Sequence, residues 1–196
     1  MSTPKVERWN SKRFGGVGCP KLALRKRRIQ AMVIHATDGS EGLNVAANVC
    51  HWWDQPAAGG NAHRVYDASS VYHYVADERA AWHASQANHW SLGYEFCGKA
   101  GQTTTQWLDD VSLATLRIGA EDMARDAVKY GIDIRWLTNG ELLAIHAGDE
   151  GITGVTDHAT IDKLWKKKGG HWDPGPGWPR LDFMIALRGY VELGSR

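Results

Sequence analysis

The chain has 196 residues, of which 43% are hydrophobic, and carries 23 lysines and arginines against 22 aspartates and glutamates. This length and apolar content suit one compact domain with its own core. The balanced charge argues against binding to nucleic acid, and no apolar stretch approaches the roughly 18 residues that cross a membrane. Three cysteines, an odd number without a CxxC spacing, argue against a disulfide framework.

The first half of the chain is predicted to contain short strands and one helix. Residues 1–28 are interrupted by glycines and a proline, which indicates an irregular N-terminal arm. Apolar residues at helical spacing predict a helix over 43–53. Apolar runs bounded by turn residues predict strands over 31–34, 62–67, 71–77 and 91–97. The first of these strands ends at His35, and the second and third form a hairpin.

Helices dominate the prediction for the second half. Two capping boxes, in which a threonine is followed three residues later by Gln or Glu, mark helix starts. They are Thr103 with Gln106, which begins a helix to about 130, and Thr138 with Glu141, which begins a short helix to His146. Residues 147–178 are predicted to be rich in loops, and Pro179 can begin a last helix to about 193. The pattern predicts an α/β fold in which helices flank a central mixed sheet.

Three residues could bind a metal. A catalytic zinc site takes three protein ligands and leaves one position for water. His35 ends a predicted buried strand, His158 follows a glycine-containing loop, and Asp173 precedes a proline that restricts its backbone. Taken singly, each has an ordinary alternative: a structural histidine, or an aspartate that forms a turn. Residue spacing alone leaves these alternatives open.

Six segments, in order along the chain, resemble the motifs of the type-2 N-acetylmuramoyl-L-alanine amidases, a family that includes phage endolysins and peptidoglycan recognition proteins. They are 33–37 (VIHAT), 61–65 with 72–75 (NAHRV, YHYV), 81–84 (AWHA), 91–96 (SLGYEF), 154–158 (GVTDH) and 171–176 (HWDPGP). The resemblance implies a single amidase-type domain over 29–196 behind the arm. It also implies Zn²⁺ as cofactor and hydrolysis of the bond between the lactyl group of N-acetylmuramic acid and L-alanine in peptidoglycan.

The resemblance also assigns roles to individual residues. It implies zinc ligation by His35, His158 and Asp173, with Glu95 as the group that exchanges protons with the attacking water. His171 stands where many relatives carry lysine. It is expected to stabilise the oxyanion when protonated, so that activity falls at alkaline pH, and it is also the alternative third ligand. Residues expected to contact substrate, or to support the ligands from behind, are Thr37, His63, Trp82, His83 and Trp172.

The favoured hypothesis is a phage endolysin or its catalytic domain, made in the host cytoplasm without a signal peptide and released to the cell wall through a holin pore. Peptidoglycan is the expected partner, with no membrane insertion and with a possible wall-binding domain on a longer parent chain. The alternatives are a non-catalytic peptidoglycan-recognition module and a structural virion protein. The basic runs 25–28 and 166–168 are either solvated surface or contacts to an acidic wall polymer.

Overall fold

A computed structural model of the chain describes residues 3–166 and 170–194. Its strands are β1 (Lys5–Arg8), β2 (Asn10–Ser11), β3 (Gly16–Val17), β4 (Ala31–Ala36), β5 (Arg64–Tyr66), β6 (Ser70–His73), β7 (Ser91–Phe96) and β8 (Gly154–Asp157). Its helices are α1 (Ala46–Trp53), α2 (Thr104–Trp107), α3 (Asp110–Tyr130), α4 (Asn139–Ala147), α5 (His158–Trp165) and α6 (Arg180–Gly194).

The strands form a mixed six-stranded sheet in the order β1-β6-β5-β7-β4-β8, which confirms the predicted fold class. Strand β4 lies between β7 and β8 and runs parallel to both. The hairpin β5–β6 supplies the antiparallel pair. Because the carboxyl ends of β4, β7 and β8 meet at one edge, residues that follow or end these strands are brought together.

Alternation along the strands divides the core into two sides. Even-numbered residues of β4 and β7, such as Ile34 and Tyr94, pack against α3 and α6. Val33 points to the opposite side, where it packs with α4 and α5. Helix α3 lies very close to the sheet at Gly119, where an added Cβ would come within 2.2 Å of the Phe96 ring. The close packing therefore requires glycine at this point.

The structure corrects the prediction for residues 147–178, which contain a strand and a helix as well as loops. Strand β8 has only four residues, with a glycine, a threonine and an aspartate around one valine, so it gives no apolar signal. Helix α5 follows at once because the side chain of Asp157 caps it by accepting a hydrogen bond from the Thr160 amide at 2.7 Å. The predicted helix after Thr103 is also divided, since Asp109 caps a new helix, α3.

The N-terminal arm is more regular than predicted. Strand β1 pairs in parallel with β6 and extends the sheet at its edge. Further along the arm, Arg13 donates hydrogen bonds to the carbonyl oxygen of Trp53, the last residue of α1, and to that of Ala58 in the segment that follows. The carboxylate of Asp54 accepts hydrogen bonds from the Trp9 indole at 3.0 Å and from the hydroxyl of Tyr74 at 2.7 Å. The arm thereby fixes the end of α1 against the hairpin.

The basic run 25–28 mainly satisfies backbone carbonyl groups. Arg25 donates to the carbonyl oxygens of Asp77, Arg79, Asn88 and Ser91. Arg27 donates to the carbonyl of Ile145 at 2.7 Å, and Arg28 donates to that of Glu150. Arg25 and Arg27 are half-buried and hold separate segments together, whereas Lys26 and Arg28 lie on the exposed surface. In the second run, Lys166 pairs with Asp162 at 2.8 Å, and Lys167 and Lys168 lie outside the described residues.

The cysteines Cys19, Cys50 and Cys97 are buried and free. Among the described residues, none of the helices has the length and apolar character required to span a lipid bilayer.

Candidate metal centre and groove

Neighbouring parallel strands place His35 and Glu95 side by side. In the register of β4 with β7, these two residues are direct partners. Both belong to the odd-numbered set, so they face away from the α3–α6 side of the sheet. His35 is buried, and Glu95 lies at the wall of a groove with a volume of about 750 Å³.

His158 and Asp173 approach the same point from two further segments. His158 is the first residue of α5, directly after β8, which pairs with β4. The loop that carries Asp173 is tied to α5 because the carbonyl of Asp173 accepts a hydrogen bond from the Ala159 amide at 3.0 Å. Beyond it, Gly175 lies so close to the neighbouring loop that an added Cβ would come within 1.8 Å of the Ala100 carbonyl oxygen. The Asp173 loop is therefore closely packed on both sides.

His35, His158 and Asp173 form a compact cluster at the bottom of the groove. The two carboxylate oxygens of Asp173 lie 3.2 Å from Nδ1 of His35 and 3.1 Å from Nδ1 of His158. One nitrogen or oxygen atom from each residue lies within 4.8 Å of the others, a spacing that one metal ion could bridge. Two imidazoles and one carboxylate are a donor set that zinc accepts.

The electrostatics of Asp173 agree with this arrangement. Burial alone would raise the pKa of the carboxyl group, but its close contacts with the rings of His158 and His35 hold its pKa well below the ordinary value. Burial lowers the pKa of His35, which favours the neutral ring that a metal requires. The cluster therefore combines an ionised carboxylate with an imidazole that tends to be uncharged.

Glu95 contributes an unpaired oxygen to this site. Its Oε2 is buried and has no hydrogen-bond partner among the described residues. Burial, and then the nearby charge of Asp173, raise the pKa of Glu95 well above its ordinary value. A buried carboxyl oxygen without a partner is costly unless something absent from the protein chain occupies the space before it. A metal-bound water or a substrate atom fits this position.

His171 lies over the cluster and has a second possible use. Its ring stacks on that of His158 with centroids 4.2 Å apart, its side chain is 59% exposed, and its amide donates to Asp162 at 2.6 Å. Burial, followed by the charge of His158, lowers its pKa, so its protonated form is less populated near neutral pH than the sequence-based expectation assumed. His158, Asp162 and His171 form a second group with metal-ligand spacing, but it is more exposed than the first.

The predicted substrate-contacting residues occupy different places. Thr37 and Trp82 line the groove, and the indole of Trp82 is 47% exposed. Trp172 is 55% exposed and lines an adjoining cavity of about 580 Å³ with Lys99. His83 lies at the groove floor behind His35.

His63 requires a correction. It is fully buried, and its Nδ1 accepts a hydrogen bond from the Gly93 amide at 2.9 Å. Its side chain therefore belongs to the core and is not in a position to contact substrate.

Sequence reasoning missed Trp52, whose indole is 55% exposed in the groove wall. The signal was present, since Trp52 lies off the apolar stripe that places Cys50 and Trp53 in the core. It also missed three groove-lining amides, which belong to Asn48, Asn61 and Asn88. Of these three, Asn48 is exposed, whereas the side-chain oxygens of Asn61 and Asn88 accept hydrogen bonds from backbone amides.

The described residues form an α/β domain of amidase type, with a cluster of possible metal ligands in an open groove. A family described as N-acetylmuramoyl-L-alanine amidase, Amidase_2, matches residues 25–176. The chain belongs to this family, as the sequence motifs indicated. Family membership supports peptidoglycan amidase activity.

Several solved structures resemble this fold. The hydrolase AmiA of Staphylococcus aureus, in complex with its ligand, is 17% identical, with 99% of this chain and 87% of that chain covered and a TM-score of 0.68. The N-acetylmuramoyl-L-alanine amidase LysC of Clostridium intestinale is 15% identical, with 95% and 99% covered and a TM-score of 0.57. A mutant endolysin from Bacillus subtilis is 15% identical, with 96% and 99% covered and a TM-score of 0.54. No curated protein matches the sequence significantly.

Proposed function

We propose that the protein is a zinc-dependent N-acetylmuramoyl-L-alanine amidase that hydrolyses the amide bond between the lactyl group of N-acetylmuramic acid and L-alanine. The observation that carries the proposal is the convergence of His35, His158 and Asp173 in the groove that Glu95 also lines, with a buried Glu95 oxygen that has no partner among the described residues. In this proposal His35, His158 and Asp173 bind zinc, and Glu95 accepts and donates protons.

Zinc bound to these three ligands would supply a water of lowered pKa and a positive charge beside the scissile carbonyl. Glu95 accepts the proton that the attacking water loses and delivers it to the departing nitrogen of L-alanine. An N–H group of His171, which projects into the groove, donates to the oxyanion that develops on the carbonyl oxygen. A cation held by the three ligands would favour the ionised form of Glu95, against the burial that raises its pKa.

The chemistry of the groove supports a peptidoglycan fragment as substrate. Trp52 and Trp82 offer exposed ring faces on which a sugar can pack. Charged groups, among them Asp38, Glu41 and Lys99, lie in the adjoining cavity beside Trp172 and suit the carboxylate and amino groups of a stem peptide. Thr37 lies among the residues of the main groove, where it can contact the bond to be cut.

We also propose the biological role of a phage endolysin, with the catalytic domain over 29–196 and release to the wall through a holin pore. One similar structure is described as an endolysin, and this supports the role by analogy of fold. A separate wall-binding domain on a longer chain belongs to the same proposal. This role can be tested by comparing two kinds of lysis. In one, the protein is added to cells from outside; in the other, it is expressed inside cells with and without a holin.

Two measurements test the proposed activity. The purified protein should bind about one zinc ion per chain, and His35→Ala should abolish both this binding and the release of peptides. Mass analysis of digested peptidoglycan should reveal peptides that begin with L-alanine together with glycans that carry free muramic acid. Cleavage between sugars or within the peptide would contradict the assigned bond. Wall binding without product formation would favour a recognition module instead.

A further inference from the structure

A chain of hydrogen bonds leads from the metal cluster into the core. Nε2 of His35 lies 3.0 Å from Nδ1 of His83, and Nε2 of His83 lies 3.2 Å from Oγ of Ser91. The hydroxyl of Ser91 in turn donates to the carbonyl oxygen of Ala87 at 2.8 Å. His35, His83 and Ser91 are buried, so water cannot readily replace these contacts.

The last contact determines where the protons lie. A carbonyl oxygen can only accept, so the hydrogen of Ser91 points to Ala87, and the Ser91 oxygen is left to accept from Nε2–H of His83. A neutral imidazole carries one hydrogen, and Nδ1 of His83 is then bare and accepts from Nε2–H of His35. This leaves a lone pair on Nδ1 of His35, the nitrogen that faces Asp173.

Hydrogen bonds that ran in the opposite direction along this chain would leave His35 unable to bind a metal through Nδ1. If the Ser91 hydroxyl donated to His83, the carbonyl of Ala87 would lose this partner, and His83 would donate to His35. Nδ1 of His35 would then carry a hydrogen directed at Asp173, 3.2 Å away. A ring nitrogen that carries a hydrogen cannot bind a metal.

The packing around His83 also holds its ring in place. A Cβ added to Gly93 would lie 2.6 Å from Cγ and Nδ1 of His83, so the ring occupies space that only glycine leaves free. The amides of His83 and Ala84 donate to the Asn88 side chain at 3.1 and 2.8 Å, which fixes the backbone of this segment. The ring is thereby confined at the distance from His35 that the hydrogen bond requires.

We infer that His83 is a positioning residue, which, together with Ser91, holds His35 in the tautomer that presents Nδ1 to the metal. The inference rests on the proposed zinc site. Replacement of the hydrogen-bond partner of a metal-binding histidine usually weakens metal binding by about 10- to 100-fold. In many sites that partner is a carboxylate or a backbone carbonyl, whereas here it is a second neutral histidine whose own orientation depends on a serine.

Zinc affinity, measured by competition with a chelator, tests the inference without reference to activity. His83→Leu removes the acceptor and should weaken zinc binding by about 10- to 100-fold. His83→Asn places an amide oxygen near the position of Nδ1 and should restore most of that loss. Ser91→Ala keeps both rings and should weaken binding by up to about tenfold. The matched control is Ser70→Ala, which removes a buried strand hydroxyl that has no hydrogen-bond partner among the described residues.

Nitrogen NMR of the zinc-loaded wild-type protein provides a second readout that does not depend on the folding of a variant. His83 should carry its hydrogen on Nε2. A hydrogen on Nδ1, or zinc affinity of His83→Leu within about threefold of wild type, would overturn the inference. Failure of the wild-type protein to bind zinc would instead refute the proposed metal site, so the two failures are distinguishable.

Discussion

Replacement of Glu95 by glutamine separates proton transfer from metal binding. The side chain keeps its shape but loses its ability to accept a proton. Glu95 is not one of the three clustered ligands, and its Oε2 has no partner within the described residues that the change would disrupt. We therefore expect Glu95→Gln to fold and to bind zinc in the same ratio as the wild-type protein.

The expected loss of activity follows from the role of the residue. Positioned general acid–base groups contribute about 10²- to 10⁴-fold in rate. At about 1.36 kcal/mol for each factor of ten, this range raises the barrier by roughly 2.7 to 5.4 kcal/mol. Because the same group serves the attacking water and the departing amine, we expect a loss toward the upper end. The loss should appear in kcat, since the variant keeps the shape of the Glu95 side chain and leaves the other groove residues unchanged.

The assay is release of soluble peptide from purified peptidoglycan, with zinc content measured on the same samples. Glu192→Gln, an exposed change on the distant helix α6, is the matched control and should leave kcat unchanged. If Glu95→Gln retained activity within about threefold of wild type while fully loaded with zinc, the assignment of Glu95 to proton transfer would be wrong.

Three further results are expected. Replacement of either exposed groove tryptophan, Trp52→Ala or Trp82→Ala, should raise KM by an amount equivalent to roughly 0.5–1.5 kcal/mol, and an unchanged KM for both would exclude them as a sugar platform. Gly119→Ala should lower the free energy of unfolding in urea by about 1–3 kcal/mol, whereas Gly140→Ala, where no atom lies within 4 Å of an added Cβ, should not lower it. Asp77→Asn should cost about 3 kcal/mol at pH 7, because the charge of Arg64 and several hydrogen bonds outweigh burial and lower the pKa of Asp77. A carboxyl group with a lowered folded-state pKa stabilises the fold above its unfolded pKa, about 3.9, so urea stability of the wild type should decline below about pH 4 more steeply than that of the variant.

Local signals in the sequence predicted much of the fold. Strand β4 is a continuous apolar run, and the capping boxes at Thr103 and Thr138 both formed. Strand β8 could not be found in this way, because its four residues owe their conformation to pairing with β4 and carry no pattern of their own. Strand β1 in the N-terminal arm was missed for the same reason, since it depends on pairing with the edge of β6.

The candidate site likewise contains some residues that sequence signals indicate and others that only tertiary packing places. His35 and Asp173 are 138 positions apart, so only the ordered motifs, and not their spacing, indicated that they would meet. Trp52 could have been predicted from its place off the helical stripe. The placement of His63 in the core and of His83 behind His35 could not, because only tertiary packing distinguishes these two histidines.

The bracing of α1 by the arm affects where the domain can be shortened. The family match begins at residue 25, yet Trp9 and Arg13 fix the end of the helix that carries Trp52. A fragment cut at the family boundary would retain every candidate metal ligand and lose the support of one groove wall. We expect such a fragment to keep the proposed metal site and to bind the proposed glycan substrate more weakly than the full chain.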